Sequence, residues 1–243
     1  MFLAETGLDA VAPGDRYVLD GAEGRHAGVV QRRGRGERLD VVDGDGLRLR
    51  CVVESADAGR VTLLVQEVDR EPAPTVVVTL VQALAKGDRD ELAVQAATEL
   101  GVDEIVPWQA ARSVSRWSPE KAVKGRARWS SIVREAAKQA HRPWIPEVSA
   151  VATTAELSAR AADARVLLLE PTAGEALSAW TPDPADVRDI LLVVGPEGGI
   201  APEELDRLSG SGAHAVRLGR EVLRTSTAGP AAIVLLSAAL GRW

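Results

Sequence analysis

The residues best placed for chemistry lie in two glycine-bearing loops of the C-terminal third. Gly195-Pro196-Glu197-Gly198-Gly199 follows the apolar run 191–194 and leads into Ile200. Leu218-Gly219-Arg220-Glu221-Val222-Leu223-Arg224-Thr225 follows a second apolar run, with Thr227 just beyond. Glycine lets backbone amides and carbonyls approach a flat, largely uncharged ligand closely. The first loop lacks the Gly-x-Gly-x-x-Gly spacing of a dinucleotide loop. It also lacks the Gly-Lys-Ser or Gly-Lys-Thr ending of a phosphate loop, which lowers NAD and ATP as ligands. A backbone-built pocket suits adenosine, and tight turns holding no ligand are the plain alternative. Ligands of open α/β sheets bind at strand ends, so the two loops are expected to close round one cofactor.

The elements that must position these loops read in two blocks. Residues 1–70 alternate short strands with turns: 16–19, 37–43, 47–53 and 60–65, joined by Asp43-Gly44-Asp45-Gly46 and Asp57-Ala58-Gly59. Such a series predicts a small β-barrel or sandwich. Glu71-Pro72-Ala73-Pro74 reads as a linker, because proline biases its predecessor away from helix. The remainder alternates β and α. Strands are expected at 75–84, 103–107, 165–169, 189–194 and 215–218. Helices are expected at 90–100, at 118–140 either continuous or broken at Gly125, at 154–162, from Pro202, and at 225–240. The helix at 90–100 is expected to bury Leu92, Ala96, Ala97 and Leu100. Thr181-Pro182-Asp183-Pro184 is loop-like. Alternating strands and helices predict an α/β fold on a parallel sheet.

Composition narrows the function classes. The chain has 243 residues, 46% hydrophobic and 26% charged, an ordinary globular balance with room for a sizeable core. The single cysteine, Cys51, excludes an internal disulfide framework, and three scattered histidines give a metal little to hold. No apolar run suggests a membrane span, no secretory leader is expected, and a cytoplasmic location is the plain reading. The net charge of -6 argues mildly against nucleic acid. Yet nine Lys and Arg residues between Arg112 and Arg142 face only Glu120 and Glu135. Phosphate backbones respond to local potential, so this stretch is either an RNA-facing surface or a solvated helical face. Trp117, Trp129 and Trp144 lie in or beside it and are open to base stacking or to burial.

Several separated motifs carry a resemblance. They are Lys86-Gly87-Asp88-Arg89, Ala97-Thr98-Glu99-Leu100-Gly101-Val102, and Glu135-Ala136-Ala137-Lys138-Gln139 with Arg142 and Pro146. The 195–199 loop, Leu218-Gly219, Val222-Leu223-Arg224-Thr225 and Thr227-Ala228 complete the set. In this order and spacing the chain resembles the bacterial small-subunit ribosomal RNA uridine-N3 methyltransferases of the SPOUT superfamily. The resemblance implies an N-terminal PUA-like RNA-binding β-barrel over 1–70. It implies a SPOUT methyltransferase domain over 71–243, an α/β fold with a deep trefoil knot. It also implies a homodimer in the cytoplasm and a reaction of EC class 2.1.1. S-adenosylmethionine would methylate N3 of one uridine of 16S ribosomal RNA, expected at position 1498, in the assembled small subunit. No DNA, membrane or metal is implied.

The same resemblance assigns the site. The cofactor would be held after three strands: by Leu169, Glu170 and Pro171; by Val194, Gly195, Gly198, Gly199 and Ile200; and by Leu218, Gly219, Leu223, Arg224, Thr225 and Thr227. Arg224 would stabilise charge on a uridine carbonyl, with Glu197 as base or as the residue orienting Arg224. Expected RNA contacts are Arg25, His26, Arg32 and Arg33 in the β-unit. Lys86, Arg89, Arg134, Lys138, His141 and Arg142 are expected beyond it. The chain departs from the family where Ala96 replaces a usual lysine, Ala201 a serine or threonine, and Ser226 a glutamate. Alternatives are a SPOUT enzyme acting on a different RNA or position, an RNA-binding assembly factor without turnover, and a nucleotide-dependent metabolic enzyme.

Overall fold

Period-two alternation builds the first unit. The computed structural model describes residues 1–4, 7–57, 59–183 and 185–243. The turn at 57–59 and the loop at 181–184 therefore include residues, Ala58 and Pro184, outside the described ones. Strands β1 (Phe2–Leu3), β2 (Arg16–Leu19), β3 (Arg38–Val42), β4 (Leu47–Asp57) and β5 (Arg60–Arg70) form a sheet in the order β1-β3-β4-β5-β2. All neighbours are antiparallel except β1 and β3. The inward residues Leu39, Val41, Leu49, Val53, Val61 and Leu63 share one core with Phe2. β4 and β5 run past the expected ends at 53 and 65. Their distal residues are mostly polar, with Val68 still packed against the core, and register shifts at Arg50/Cys51 and Val53/Ser55 let the ladder continue. A short helix α1 (Gly21–Arg25) and a π-helical turn His26–Val30 follow β2.

This unit also recruits a distant segment. Residues 1–73 and 137–145 form one unit, and 74–136 with 146–243 the other. Three polar links hold 137–145 in place. Lys138 Nζ meets Glu23 Oε1 at 2.9 Å, Arg48 donates to the His141 carbonyl at 2.7 Å, and Trp144 Nε1 donates to the Glu71 carbonyl at 3.1 Å. A division into two continuous stretches at 70/71 does not anticipate this return, since each link joins residues more than seventy positions apart.

Strands buried on both faces build the second unit. They are β6 (Val78–Ala83), β7 (Glu104–Trp108), β8 (Glu147–Val148), β9 (Arg165–Leu169), β10 (Glu175–Ala176), β11 (Ile190–Val194) and β12 (His214–Arg217). The order is β10-β12-β9-β11-β6-β7-β8, with every pair parallel. Continuous apolar runs such as Ile190–Val194 are typical of parallel strands covered on both sides. β11 inserts between β9 and β6, so strands distant in sequence become neighbours.

Helices α2 (Arg89–Glu99), α3 (Pro119–Gln139), α4 (Thr154–Arg160), α5 (Pro202–Gly210) and α6 (Thr225–Ala239) connect or cover this sheet. One helix expectation needs correction and another is decided. α2 buries Asp90, Ala93, Val94, Ala97 and Thr98, while Leu92 is 49% exposed. It packs on α6 through small residues, so its larger Leu92 faces out. α3 does not break at Gly125. There the missing side chain admits Trp117, whose ring would lie 2.4 Å from a Cβ. Trp117 in turn packs edge-on against buried Trp129, with ring centroids 5.4 Å apart.

Candidate active site at the strand ends

Three parallel strands end on one cavity of about 350 Å³. That size accommodates a cofactor. Leu169, Glu170 and Pro171 line it after β9. Val194, Gly195, Gly199 and Ile200 line it after β11. Leu218, Gly219, Leu223, Arg224 and Thr225 line it after β12. Gly198 and Thr227 lie outside the lining. The Gly198 carbonyl accepts from Arg112 at 3.1 Å, and Thr227 donates its N–H to the Arg224 carbonyl in the first turn of α6. The walls also include Arg89, Pro196, Glu197, Arg217, Glu221 and Val222. Among these, Val222 lies in the Val222-Leu223-Arg224-Thr225 motif and Glu221 in the same loop, while Arg217 ends β12; none of the three was assigned to the cofactor from the sequence.

The 195–199 loop is fixed from several sides. Gly195 is required by close approach: a Cβ there would lie 2.8 Å from Ile200 Cγ1. The Gly195 carbonyl accepts from Thr225 Oγ1 at 3.0 Å. Glu197 Oε1 accepts the Lys86 N–H at 3.0 Å and Arg89 Nη1 at 3.1 Å. Downstream, α5 starts without a side-chain cap, as alanine at 201 requires. Glu204 compensates in part, accepting the Ala201 N–H at 3.4 Å, the Ala111 N–H at 3.0 Å and Thr154 Oγ1 at 2.6 Å. On the opposite side, Asp90 Oδ2 accepts the Ala85 N–H at 3.1 Å and shapes the 85–90 turn.

These contacts redefine two acidic roles. Glu197 orients Arg89, not Arg224. Burial works to raise its pKa, but backbone N–H groups, including that of Lys86, and the Arg89 guanidinium outweigh it. The carboxyl rests below its ordinary value, which weakens it as a proton acceptor. Glu170 accepts from its own loop, through Thr172 Oγ1 at 2.9 Å. The Glu221 carboxylate has no hydrogen-bond partner among the described residues, and neither does the Arg224 guanidinium. Arg224 is exposed at the cavity wall, directly before α6. Ser226, half-buried in the first turn of that helix, supplies no carboxylate.

The expected RNA-facing residues divide between the two units. Arg25 and Arg32 are exposed in the first. His26 Nε2 lies 3.0 Å from Gln31 Nε2, and Arg33 bonds Gln31 and Glu37, both at 3.1 Å. His141 is exposed and Arg142 half-buried in the returning segment. Lys138 is turned inward, its side chain 11% exposed against a 6% exposed Glu23. That buried pair leaves it out of any RNA-facing surface. In the second unit Lys86 and Arg134 are exposed, while Arg89 belongs to the cavity. The basic stretch is thus not one surface. Arg128 forks onto Glu91 at 2.9 Å, and Arg126 donates to the Val148 carbonyl at 2.7 Å. Lys121 and Lys124 remain exposed on α3. Trp117, Trp129 and Trp144 all have packing or hydrogen-bonding roles within the protein.

The stretch that holds the parallel sheet and its strand-end cavity is that of an RNA methyltransferase domain, whose family model matches residues 71–237. Among the solved structures that share the fold, two contain S-adenosylmethionine. One is a ribosomal RNA small subunit methyltransferase E from Neisseria gonorrhoeae bound to S-adenosylmethionine: TM-score 0.84, 27% identity, 98% of this chain and 96% of that one. The other is a methyltransferase from Legionella pneumophila in complex with S-adenosylmethionine: TM-score 0.83, 30% identity, with the same coverage. The chain is 45% identical over 231 residues to the ribosomal RNA small subunit methyltransferase E of Mycobacterium bovis, covering 93% of this chain and 87% of the relative. It is 34% identical to that of Bacillus subtilis, covering 87% and 86%. The chain belongs to the ribosomal RNA small subunit methyltransferase E family.

Proposed function

We propose that this protein transfers a methyl group from S-adenosylmethionine to N3 of one uridine of 16S ribosomal RNA, position 1498, in the small subunit. The observation that carries the reading is the cavity at the ends of β9, β11 and β12, with the Arg224 guanidinium, without a partner among the described residues, on its wall. The fit to the cofactor rests on backbone edges after three strands, an apolar floor from Leu169, Val194 and Ile200, and the close approach at Gly195. Its solved relatives carry S-adenosylmethionine. When bound, the cofactor supplies an electrophilic methyl on a sulfonium. Arg224 stabilises the negative charge that moves onto a uridine carbonyl as the N3 proton passes to solvent water, which frees the N3 lone pair to take the methyl group. The loops hold the two reactants in line. Glu197 acts by holding Arg89 and the 85–90 turn against the glycine loop.

The finer features of the family belong to the same proposal. The trefoil knot of the second unit and the PUA-like barrel of the first are proposed with the family; the seven-stranded parallel sheet and the five-stranded sheet are compatible with them. Arg25, His26, Arg32, Arg33, Lys86, Arg134, His141 and Arg142 are the proposed RNA contacts. A homodimer is proposed with the family, and a cytoplasmic site of action follows from a ribosomal substrate. Among the described residues no helix is long and apolar enough to cross a membrane, and no cluster of metal-ligating side chains occurs.

The test is methyl transfer from labelled S-adenosylmethionine to small subunits lacking the modification, followed by nucleoside identification. Label in 3-methyluridine at one position is expected. Label in another nucleoside would redirect the specificity. Cofactor binding without transfer to any ribosomal RNA would leave an assembly factor.

A further inference from the structure

Beneath the cavity floor lies one polar side chain that the reaction so far does not use. Gln82 sits near the end of β6, completely buried, in register with Val194 of β11. Its Nε2 donates to Thr225 Oγ1 at 2.8 Å and to the Ala83 carbonyl at 3.2 Å. Its Oε1 is buried without a hydrogen-bond partner among the described residues. A buried amide oxygen without a partner is costly, so some gain elsewhere must hold this arrangement.

The polarity of the chain of bonds shows what that gain is. The Gly195 carbonyl can only accept, so the Thr225 hydroxyl must give its proton there. Its lone pairs are then free to accept from Gln82. At the other end the Ala83 carbonyl also can only accept, which fixes the Gln82 amide with Nε2 toward both oxygens. The result is a one-way relay, Gln82 to Thr225 to Gly195, running from a rigid central strand into both cavity loops. α6 can reach this depth because of Gly229, where a Cβ would lie 2.9 Å from Leu80 Cδ1 and 3.4 Å from Val194 Cγ2.

Resting on the proposed reading of the cavity as an S-adenosylmethionine site, we propose that Gln82 is a positioning residue that sets the spacing of the two cofactor loops through the Thr225 hydroxyl. It touches no substrate. It orients Thr225, which holds the Gly195 carbonyl and starts the helix turn that directly follows Arg224. The loops then keep their bound spacing in the free protein, so the cofactor meets a preformed site.

The test is calorimetric titration of S-adenosylmethionine into four proteins: wild type, Gln82→Met, Thr225→Val and the double variant. Methyl-transfer rates and melting temperatures are measured alongside. Each single change is expected to weaken cofactor binding on the order of tenfold, the scale of one lost hydrogen bond. The double variant is expected to be no weaker than either single one, because both break the same relay. Thr225→Ser, which keeps the hydroxyl, recovers most of the affinity. Gln82→Glu fails to rescue, because its carboxylate draws the threonine proton away from Gly195. A lowered melting temperature with unchanged cofactor affinity would overturn the proposal, as would additive losses in the double variant. Should Gln82→Met not fold, Thr225→Val against Thr225→Ser decides the Gly195 side. Wild-type protein that binds no cofactor would instead sink the reading of the cavity itself.

Discussion

The two edges of the parallel sheet are built differently. At the N-terminal edge charged groups meet partners. Glu104, which opens β7, bonds Thr79 Oγ1 at 2.8 Å, Ser149 Oγ at 2.6 Å and Arg160 Nη2 at 2.8 Å. Asp103 takes the Val78 N–H and the guanidinium of Arg242, both at 2.8 Å, tying the C-terminus to the strand starts. Asp189 accepts the Val77 N–H at 2.8 Å, and Arg165 is paired with Asp186. At the C-terminal edge the backbone is held as firmly, yet Arg224 and Glu221 keep charges without partners among the described residues. One edge is satisfied and serves stability. The other is firm in its backbone and unsatisfied in its charges, as a site for a charged ligand should be.

Substitutions at the two edges should therefore separate activity from stability. The largest effect is expected from Arg224→Ala, which should slow single-turnover methyl transfer about 10²–10³-fold, the scale of losing one charge-stabilising donor. The melting temperature should not move, because the guanidinium has no partner to lose among the described residues. A comparable fall in melting temperature would mean that Arg224 is structural. Next, Gly195→Ala should weaken cofactor binding by at least about tenfold, since the added Cβ must displace Ile200 and alter the wall. Titration of the variant checks this.

At the opposite edge Glu104→Gln should lower stability by about 1–3 kcal/mol, the cost of disturbing buried hydrogen-bond partners, and leave cofactor affinity unchanged. Burial works to raise the Glu104 pKa, but hydrogen bonds from Arg160, Ser149 and Thr79 outweigh it, and the carboxyl rests below its ordinary value. A carboxyl with a lowered folded pKa stabilises fully above its unfolded pKa, and the contribution is lost as pH falls through the folded value. Denaturant melts should thus show the variant and wild type converging on acidification. Divergence at low pH would contradict the pairing. The smallest effect is expected from Glu197→Gln. Its oxygen can still accept from Lys86, so turnover should fall only severalfold, the scale of a half-exposed ion pair worth up to about 1 kcal/mol. A loss as large as that of Arg224→Ala would make Glu197 the base after all.

What the sequence revealed follows the range of the forces involved. β9 at Arg165–Leu169, the start of α5 at Pro202 and the start of α6 at Thr225 were readable because apolar runs, proline and helix-forming stretches are local signals. Most cavity residues were reached through motif positions, and Arg224 falls among them. The order of the strands was not readable, because β11 pairs with β6 more than a hundred residues away. The inward turn of Lys138 was hidden for the same reason, its partner Glu23 lying 115 residues earlier. The pairing of Arg89 with Glu197 was hidden too, since nothing near Arg89 in sequence discloses a partner 108 residues later. Gln82 carried no signal at all. A lone glutamine in an apolar strand shows its purpose only when Thr225 and Gly195 are seen beside it.

The most direct test of the contrast between the edges is titration of S-adenosylmethionine into wild type, Gly195→Ala and Glu104→Gln under one buffer condition. The account predicts one cofactor per chain for wild type, a clear loss with Gly195→Ala, and wild-type affinity with a lowered melting temperature for Glu104→Gln. Equal affinity in Gly195→Ala, or lost affinity in a folded Glu104→Gln, would contradict the placement of the cofactor at the C-terminal edge.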